Sequence, residues 1–242
     1  MIVKNATDAY YWQLIKEIGS YNDRWTENVN TKSEIIIGLI KSISISNHLK
    51  VLFPSFNPIA LSLAKIYDVT IVCDESLAEV FDFSSVVRVD SLAGLGQFDI
   101  VLALDEYFTY GDSEQAQRDL VDDLSRLTSG WLVTTLQDYK NFAPHKKNQI
   151  DAMVVNSNTN YIMLENSVAD KTDKQLWSHY WYCIKDHNDL LTIGPIARRT
   201  MYFKQLAKYT SDVNSKQYVV QKNLLYKGFF SRNFEHIITV NF

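Results

Sequence analysis

One run constrains this chain more than any other: Phe98-Asp99-Ile100-Val101-Leu102-Ala103-Leu104-Asp105-Glu106-Tyr107, an apolar stretch closed by two acids. A segment of amphipathic helical spacing follows it, then Ser129-Gly130-Trp131-Leu132-Val133-Thr134-Thr135-Leu136. A strand that is apolar at successive positions is buried on both faces, the habit of parallel strands covered by helices. In open α/β sheets ligands sit outside the carboxyl ends of the strands. Asp105 and Glu106 therefore stand where a site is expected.

The same alternation extends on either side. Residues 8–19 read as a helix with Tyr10, Leu14, Ile15 and Ile18 on one stripe. Thr31 with Glu34 reads as a capping box opening a helix through Ile35, Ile36, Leu39, Ile40 and Ile43. Short β-branched strands are expected at 49–53, 69–73, 86–89 and 100–104, with a helix at 59–67 and a helical turn at 76–80. Asp112 is the expected cap of the next helix, whose Ala116, Leu120, Leu124 and Leu127 share a face. Gly130 is expected to close that helix before a strand at 131–136. Further on, 161–168, 177–185 and 190–193 suggest an antiparallel set, followed by a helix at 198–209 and strands at 218–226 and 235–240.

The chain of 242 residues is expected to form one domain. Within it, 1–30 reads as an N-terminal helical segment and 31–138 as the core. An antiparallel insertion occupies 139–197, and a closing helix and hairpin 198–242. An apolar fraction of 46% is ample for a core, and no apolar run approaches the roughly 20 residues that span a bilayer. The N-terminus lacks signal-peptide character, so a soluble, cytoplasmic protein is expected. Cys73 and Cys183 each lie in an apolar run and read as buried free thiols, not as a disulfide or a metal site. Residues 1–138 carry 10 basic against 20 acidic side chains, and 139–242 carry 14 against 8. The acidic half suits a cationic or neutral ligand and the basic half an anionic one, or both are solvated faces. The chain as a whole is not basic, which argues against indiscriminate nucleic-acid binding.

The strand ends carry a more specific pattern. The first runs through Val51-Leu52-Phe53-Pro54-Ser55-Phe56-Asn57-Pro58-Ile59, the second into Val72-Cys73-Asp74-Glu75-Ser76, the third into Val87-Arg88-Val89-Asp90-Ser91 and the fourth into Asp105. After these come Leu124-Ser125-Arg126-Leu127-Thr128-Ser129-Gly130-Trp131-Leu132-Val133 and, near the C-terminus, Arg232-Asn233-Phe234-Glu235-His236-Ile237-Ile238-Thr239-Val240. In order and spacing this set resembles the class I S-adenosylmethionine-dependent methyltransferases. The resemblance implies an α/β fold. Its mostly parallel Rossmann-like sheet would carry helices on both faces, a C-terminal antiparallel hairpin and a small antiparallel insertion.

The resemblance further implies S-adenosylmethionine as cofactor, with site residues set by position. Asp74 or Glu75 would take the ribose hydroxyls and Asp90 the adenine amino group. Ser55 and Asn57 would line the methionine end, and Asp105 would border the methyl donor. Phe53 stands where the family has an acid beside the cofactor. Glu106, Tyr107, Asp138 and Tyr139 would face a methyl acceptor of unknown identity. Where the family has glycines, this chain has Ser55, Asn57 and Ile59. Asn tolerates left-handed backbone and Ile does not.

Two readings follow: a methyltransferase with a modified cofactor pocket, or a catalytically silent methyltransferase-like module. The silent module would bind a partner through the basic aromatic C-terminal half. Within that half Trp177, Tyr180, Trp181 and Tyr182 read as core or hairpin packing, or, with Arg198, Arg199, Lys204 and Lys208, as a stacking and phosphate surface for nucleic acid, the less favoured reading. Asp74 and Asp90 are equally ordinary strand-end turn acids. His179 and His187 lack metal-ligand spacing, and no catalytic residue is assigned.

Overall fold

The computed structural model describes Trp12, Lys16 and residues 24–46, 48–137, 149–154, 162–170, 172–173, 175–185, 189–226 and 235–242. Helix α1 (Arg24–Ile43) precedes β1 (Lys50–Phe53), α2 (Ile59–Leu63), β2 (Asp68–Val72), β3 (Val87–Val89) and β4 (Phe98–Ala103). Helix α3 (Glu114–Leu127) leads directly into β5 (Thr128–Leu136). Next come β6 (Gln149–Val154), β7 (Ile162–Ala169), β8 (Leu176–Lys185) and β9 (Asp189–Arg199). Helix α4 (Phe203–Asp212), β10 (Gln217–Tyr226) and β11 (Glu235–Asn241) close the chain.

The main sheet has the order β10-β11-β5-β4-β1-β2-β3, and β6-β7-β8-β9 form a second, antiparallel sheet. Strands β1 to β5 are mutually parallel, while β11 runs antiparallel to β5 and β10 antiparallel to β11. Alternate residues of each strand feed two cores, because side chains change face at every step. Val51, Phe53, Ile100, Leu102, Val133 and Ile237 meet Ile36, Leu39 and Ile40 of α1 and Ile59 and Leu63 of α2. Leu52, Val101, Ala103, Leu132 and Ile238 meet Val121 and Leu124 of α3 and Leu206 and Tyr209 of α4. This two-sided burial accounts for the unbroken apolar runs and gives the α/β architecture expected.

Several local expectations are corrected. Thr31 and Glu34 are exposed inside α1, which begins at Arg24, since nothing after residue 24 interrupts its spacing. Ser113, not Asp112, caps α3: its extended backbone lets the hydroxyl accept from Ala116 N–H at 3.1 Å. Gly130 does not end that helix. It lies in β5, where a Cβ would come within 2.6 Å of the Asp99 carbonyl oxygen, beside the irregular register between Phe98 and Ile100. Arg198 and Arg199 are strand residues paired with Trp177 and Leu176, so the following helix begins only at Phe203. Strand β6 was not foreseen. Cys73 is a buried free thiol, its pKa pushed up to about 12 chiefly by burial. The expected helix at 8–19 lies mostly outside the described residues, as does the Cys183 side chain.

Gly130→Ala should destabilise the protein by about 1–3 kcal/mol, because backbone rather than a movable side chain blocks the new Cβ. Urea unfolding followed by circular dichroism measures this; an unchanged midpoint contradicts the close approach.

Candidate functional site

The chain leaves β4 through Asp105 and Glu106, both in the left-handed region, with φ of 55° and 57°. Such backbone costs on the order of 1–3 kcal/mol per residue and persists only where the surroundings enforce it. Glu106 N–H donates to the Thr135 hydroxyl of β5 at 3.3 Å. The Glu106 carbonyl accepts from the Thr109 N–H and from the Thr109 hydroxyl, each at 2.8 Å. Asn57 reaches across from the loop after β1, its Nδ2 donating to Asp105 Oδ2 at 2.9 Å. Its Oδ1 accepts from Ile59 N–H at 3.2 Å, so one side chain joins two strand ends.

Both acids are buried. Glu106 faces Arg198 at 3.6 Å and accepts from Gln137 Nε2 at 3.1 Å. Arg198 comes from the second sheet; its guanidinium lies 4.4 Å from the Tyr110 ring centre and donates to the Tyr110 hydroxyl. Strand β11 adds a third buried acid, Glu235, paired across the ladder with Tyr226. Burial, reinforced by the charges of Glu106 and Asp105, holds the Glu235 carboxyl well above the usual carboxylate range. Tyr226 is fully buried with its hydroxyl beside Asp105 and Asn57; burial, then the charges of Asp105 and Glu235, push its pKa up. Glu235, Tyr226, Thr135 and Gln137 were not singled out as site residues, and Arg198 was read as part of a basic surface, not as a partner of Glu106. A charged residue opening the buried strand at Ile237 was the only local signal for Glu235.

The other expected residues lie elsewhere along this edge or beneath it. Phe53 is wholly buried in the core, and Ser55 is half-buried. Phe56 packs against Trp12, Phe81 and Phe83 with ring centres 5.0, 4.7 and 5.9 Å away. Asp74 is half-buried at the end of β2, and its Oδ1 accepts from Ser76 N–H and hydroxyl at 2.8 and 2.6 Å. Glu75 is exposed, and Asp90 is exposed and paired with Arg88 at 2.7 Å. Tyr107 does not join Asp105: it packs into the α3 side of the core, where burial raises its hydroxyl pKa. Asp138 and Tyr139 lie outside the described residues. Among the described residues no cluster of His, Cys, Asp and Glu has the geometry to hold a metal ion.

No protein-family model matches the chain, and no curated protein does. Solved structures do. A methyltransferase of Streptomyces caelestis, CcbJ, superposes with a TM-score of 0.64 at 16% identity, covering 86% of this chain and 88% of that one. An S-adenosylmethionine-dependent methyltransferase of Clostridium acetobutylicum gives 0.69 at 12%, covering 93% and 98%. CalS10, an amino pentose methyltransferase of Micromonospora echinaspora with S-adenosylmethionine bound, gives 0.65 at 11%, covering 92% and 94%. The chain thus has the Rossmann-like fold of the class I methyltransferases.

Two outcomes are expected. Arg198→Met strands the Glu106 carboxylate in the interior and should cost about 3–5 kcal/mol in chemical unfolding, with a smaller loss when Glu106→Gln accompanies it. The Glu235 carboxyl titrates higher folded than unfolded, where its ordinary value is 4.5. Its contribution to stability is therefore full below that value and lost as pH rises through the folded pKa. Glu235→Gln should abolish this loss, so Tm measured from about pH 4 to pH 9 should decline less in the variant.

Proposed function

We propose that this chain is an S-adenosylmethionine-dependent methyltransferase acting on a small molecule. One observation carries the reading: a sheet of this fold brings two buried acids on left-handed backbone to the end of β4 and ties them to the loop after β1. Strain of that kind concentrates at working sites. CalS10, of the same fold, has S-adenosylmethionine bound. The acidic balance of residues 1–138 suits that positively charged cofactor.

The acids and amides at the strand ends suit the cofactor in chemistry. Half-buried Asp74 and exposed Glu75 end the strand next to β1, where one of them would accept from the ribose hydroxyls. Asp90 would take the adenine amino group one strand further out. Ser55 and Asn57 would line the methionine end above Phe53, and Asp105 would border the methyl group. The cofactor supplies a methyl already activated on a positive sulfur. The protein's share is orientation: holding acceptor and donor in line and keeping water out. Asn57 contributes by fixing the β1 loop against Asp105.

Glu106 would border the acceptor. Among the described residues no helix is long and apolar enough to cross a membrane. Nucleic acid is not the favoured acceptor, because Arg198 is buried on Glu106 and Arg199 is paired with Asp173 and Gln175. That leaves exposed Lys204 and Lys208 from the arginine–lysine set.

A specific observation favours the second reading, a silent module. Phe53, Phe56 and Ile59 are packed into the interior around a loop without glycine, which narrows the room a cofactor needs. Calorimetric titration with S-adenosylmethionine and S-adenosylhomocysteine separates the two. Micromolar binding is expected, and Asp74→Ala should weaken it by about 1.5–3 kcal/mol, roughly 10- to 150-fold. No heat and no thermal stabilisation at millimolar ligand would leave the silent module standing.

A further inference from the structure

Glu235 is the acid in this cluster that its surroundings do not satisfy. Glu106 has Arg198 and Gln137, and Asp105 has Asn57. Both oxygens of Glu235 are buried, and among the described residues neither accepts a hydrogen bond of normal geometry, although the Thr135 hydroxyl lies beside it. The residue is 0% exposed. A carboxylate left so is costly unless a proton or a cationic ligand answers it. The groups around it are Glu106 and Asp105 from the β4 turn, Arg198 from β9, Thr135 from β5 and Tyr226 from β10. Arg198 is the cation among them, and it is already matched to Glu106. The excess charge is negative and lies at the carboxyl edge of the sheet, where ligands of this architecture sit.

We propose that Glu235 and Asp105 form the anionic end of an acceptor subsite for a primary or secondary amine, and that Glu235 takes the proton the amine must lose. The proposal rests on the methyltransferase reading, in which a nitrogen nucleophile needs its lone pair. Before an amine arrives, the proton is the answer to a carboxyl buried without a hydrogen bond of normal geometry among the described residues, so Glu235 starts the exchange as the acid. An incoming ammonium displaces it: the Glu235 O–H bond breaks, the proton leaves to solvent, and the carboxylate accepts from the ammonium N–H. That N–H bond then breaks as a new O–H forms on Glu235, leaving a neutral amine with its electron pair free. The site gains one positive charge with the ammonium and loses one to solvent, so its net charge is unchanged. Asp105, held by Asn57, keeps the ammonium at this end.

The test uses cyclohexylamine and its neutral counterpart cyclohexanol, titrated into the whole protein in buffers of different ionisation enthalpy, with and without S-adenosylhomocysteine. Cyclohexylamine should bind about ten-fold tighter than cyclohexanol and release about one proton, read from the dependence of heat on buffer. Glu235→Gln should lose the proton release and most of the preference for the amine. Equal affinity for the two probes, heat independent of buffer, or a Glu235→Gln variant that behaves as wild type each overturns the proposal. The two-probe comparison needs no variant, so a misfolded substitution does not obscure it. Amine binding with proton release but no binding of S-adenosylhomocysteine supports the subsite and removes the methyltransferase reading. The reverse result removes the subsite alone.

Discussion

Burying the carboxylates of Asp105 and Glu106 at the end of β4 is the constraint around which the rest of the edge is arranged. Water cannot satisfy them there, so protein groups must. Asn57 comes from 48 residues away and Gln137 from the end of β5, while Arg198 arrives from another sheet. Each supplies donors to one acid. The backbone holding them is left-handed at two successive non-glycine positions, and Thr135 and Thr109 pin it. Removing any one donor would leave charge or strain unanswered, which makes the cluster sensitive as a unit.

The topology explains why a third acid belongs to it. Parallel strands all end at the same edge, whereas an antiparallel neighbour begins there. Strand β11 runs against β5 with His236 opposite Leu136, so Glu235 lies beside the end of β5. Its cross-strand partner Tyr226 reaches the same edge as the last residue of β10. The second sheet adds Arg198 near the end of its last strand. Thus a site begun by the parallel core is completed by antiparallel strands: the second sheet supplies the arginine and the closing hairpin the least satisfied acid.

The core strands were legible because burial on both faces leaves an uninterrupted apolar run that no solvated strand needs. Val51, Ile71, Ile100 and Val133 mark such runs, and the structure places them in adjacent strands. Boundaries were less legible. Ser113 displaced Asp112 as a cap because its extended backbone aims its oxygen at the Ala116 N–H of the helix. Arg198 read as helical from spacing, yet ladder pairing with Trp177 carries β9 through it. Gly130 read as a helix stop, whereas its smallness serves a close approach to Asp99 of a neighbouring strand.

The amino-acid sequence by itself determined that this chain builds a parallel α/β core with helices on both faces, and that acids end its strands. Period and composition act over a few residues, so they can be read locally. Tertiary structure alone decided which of those acids meet. Asp74 and Asp90 stay apart from Asp105 at the ends of β2 and β3, while Glu106 and Glu235, far separated in the chain, share one buried space with Arg198 and Tyr226. That outcome depends on strand order and direction, and on the low dielectric of an interior that makes each unmatched charge expensive.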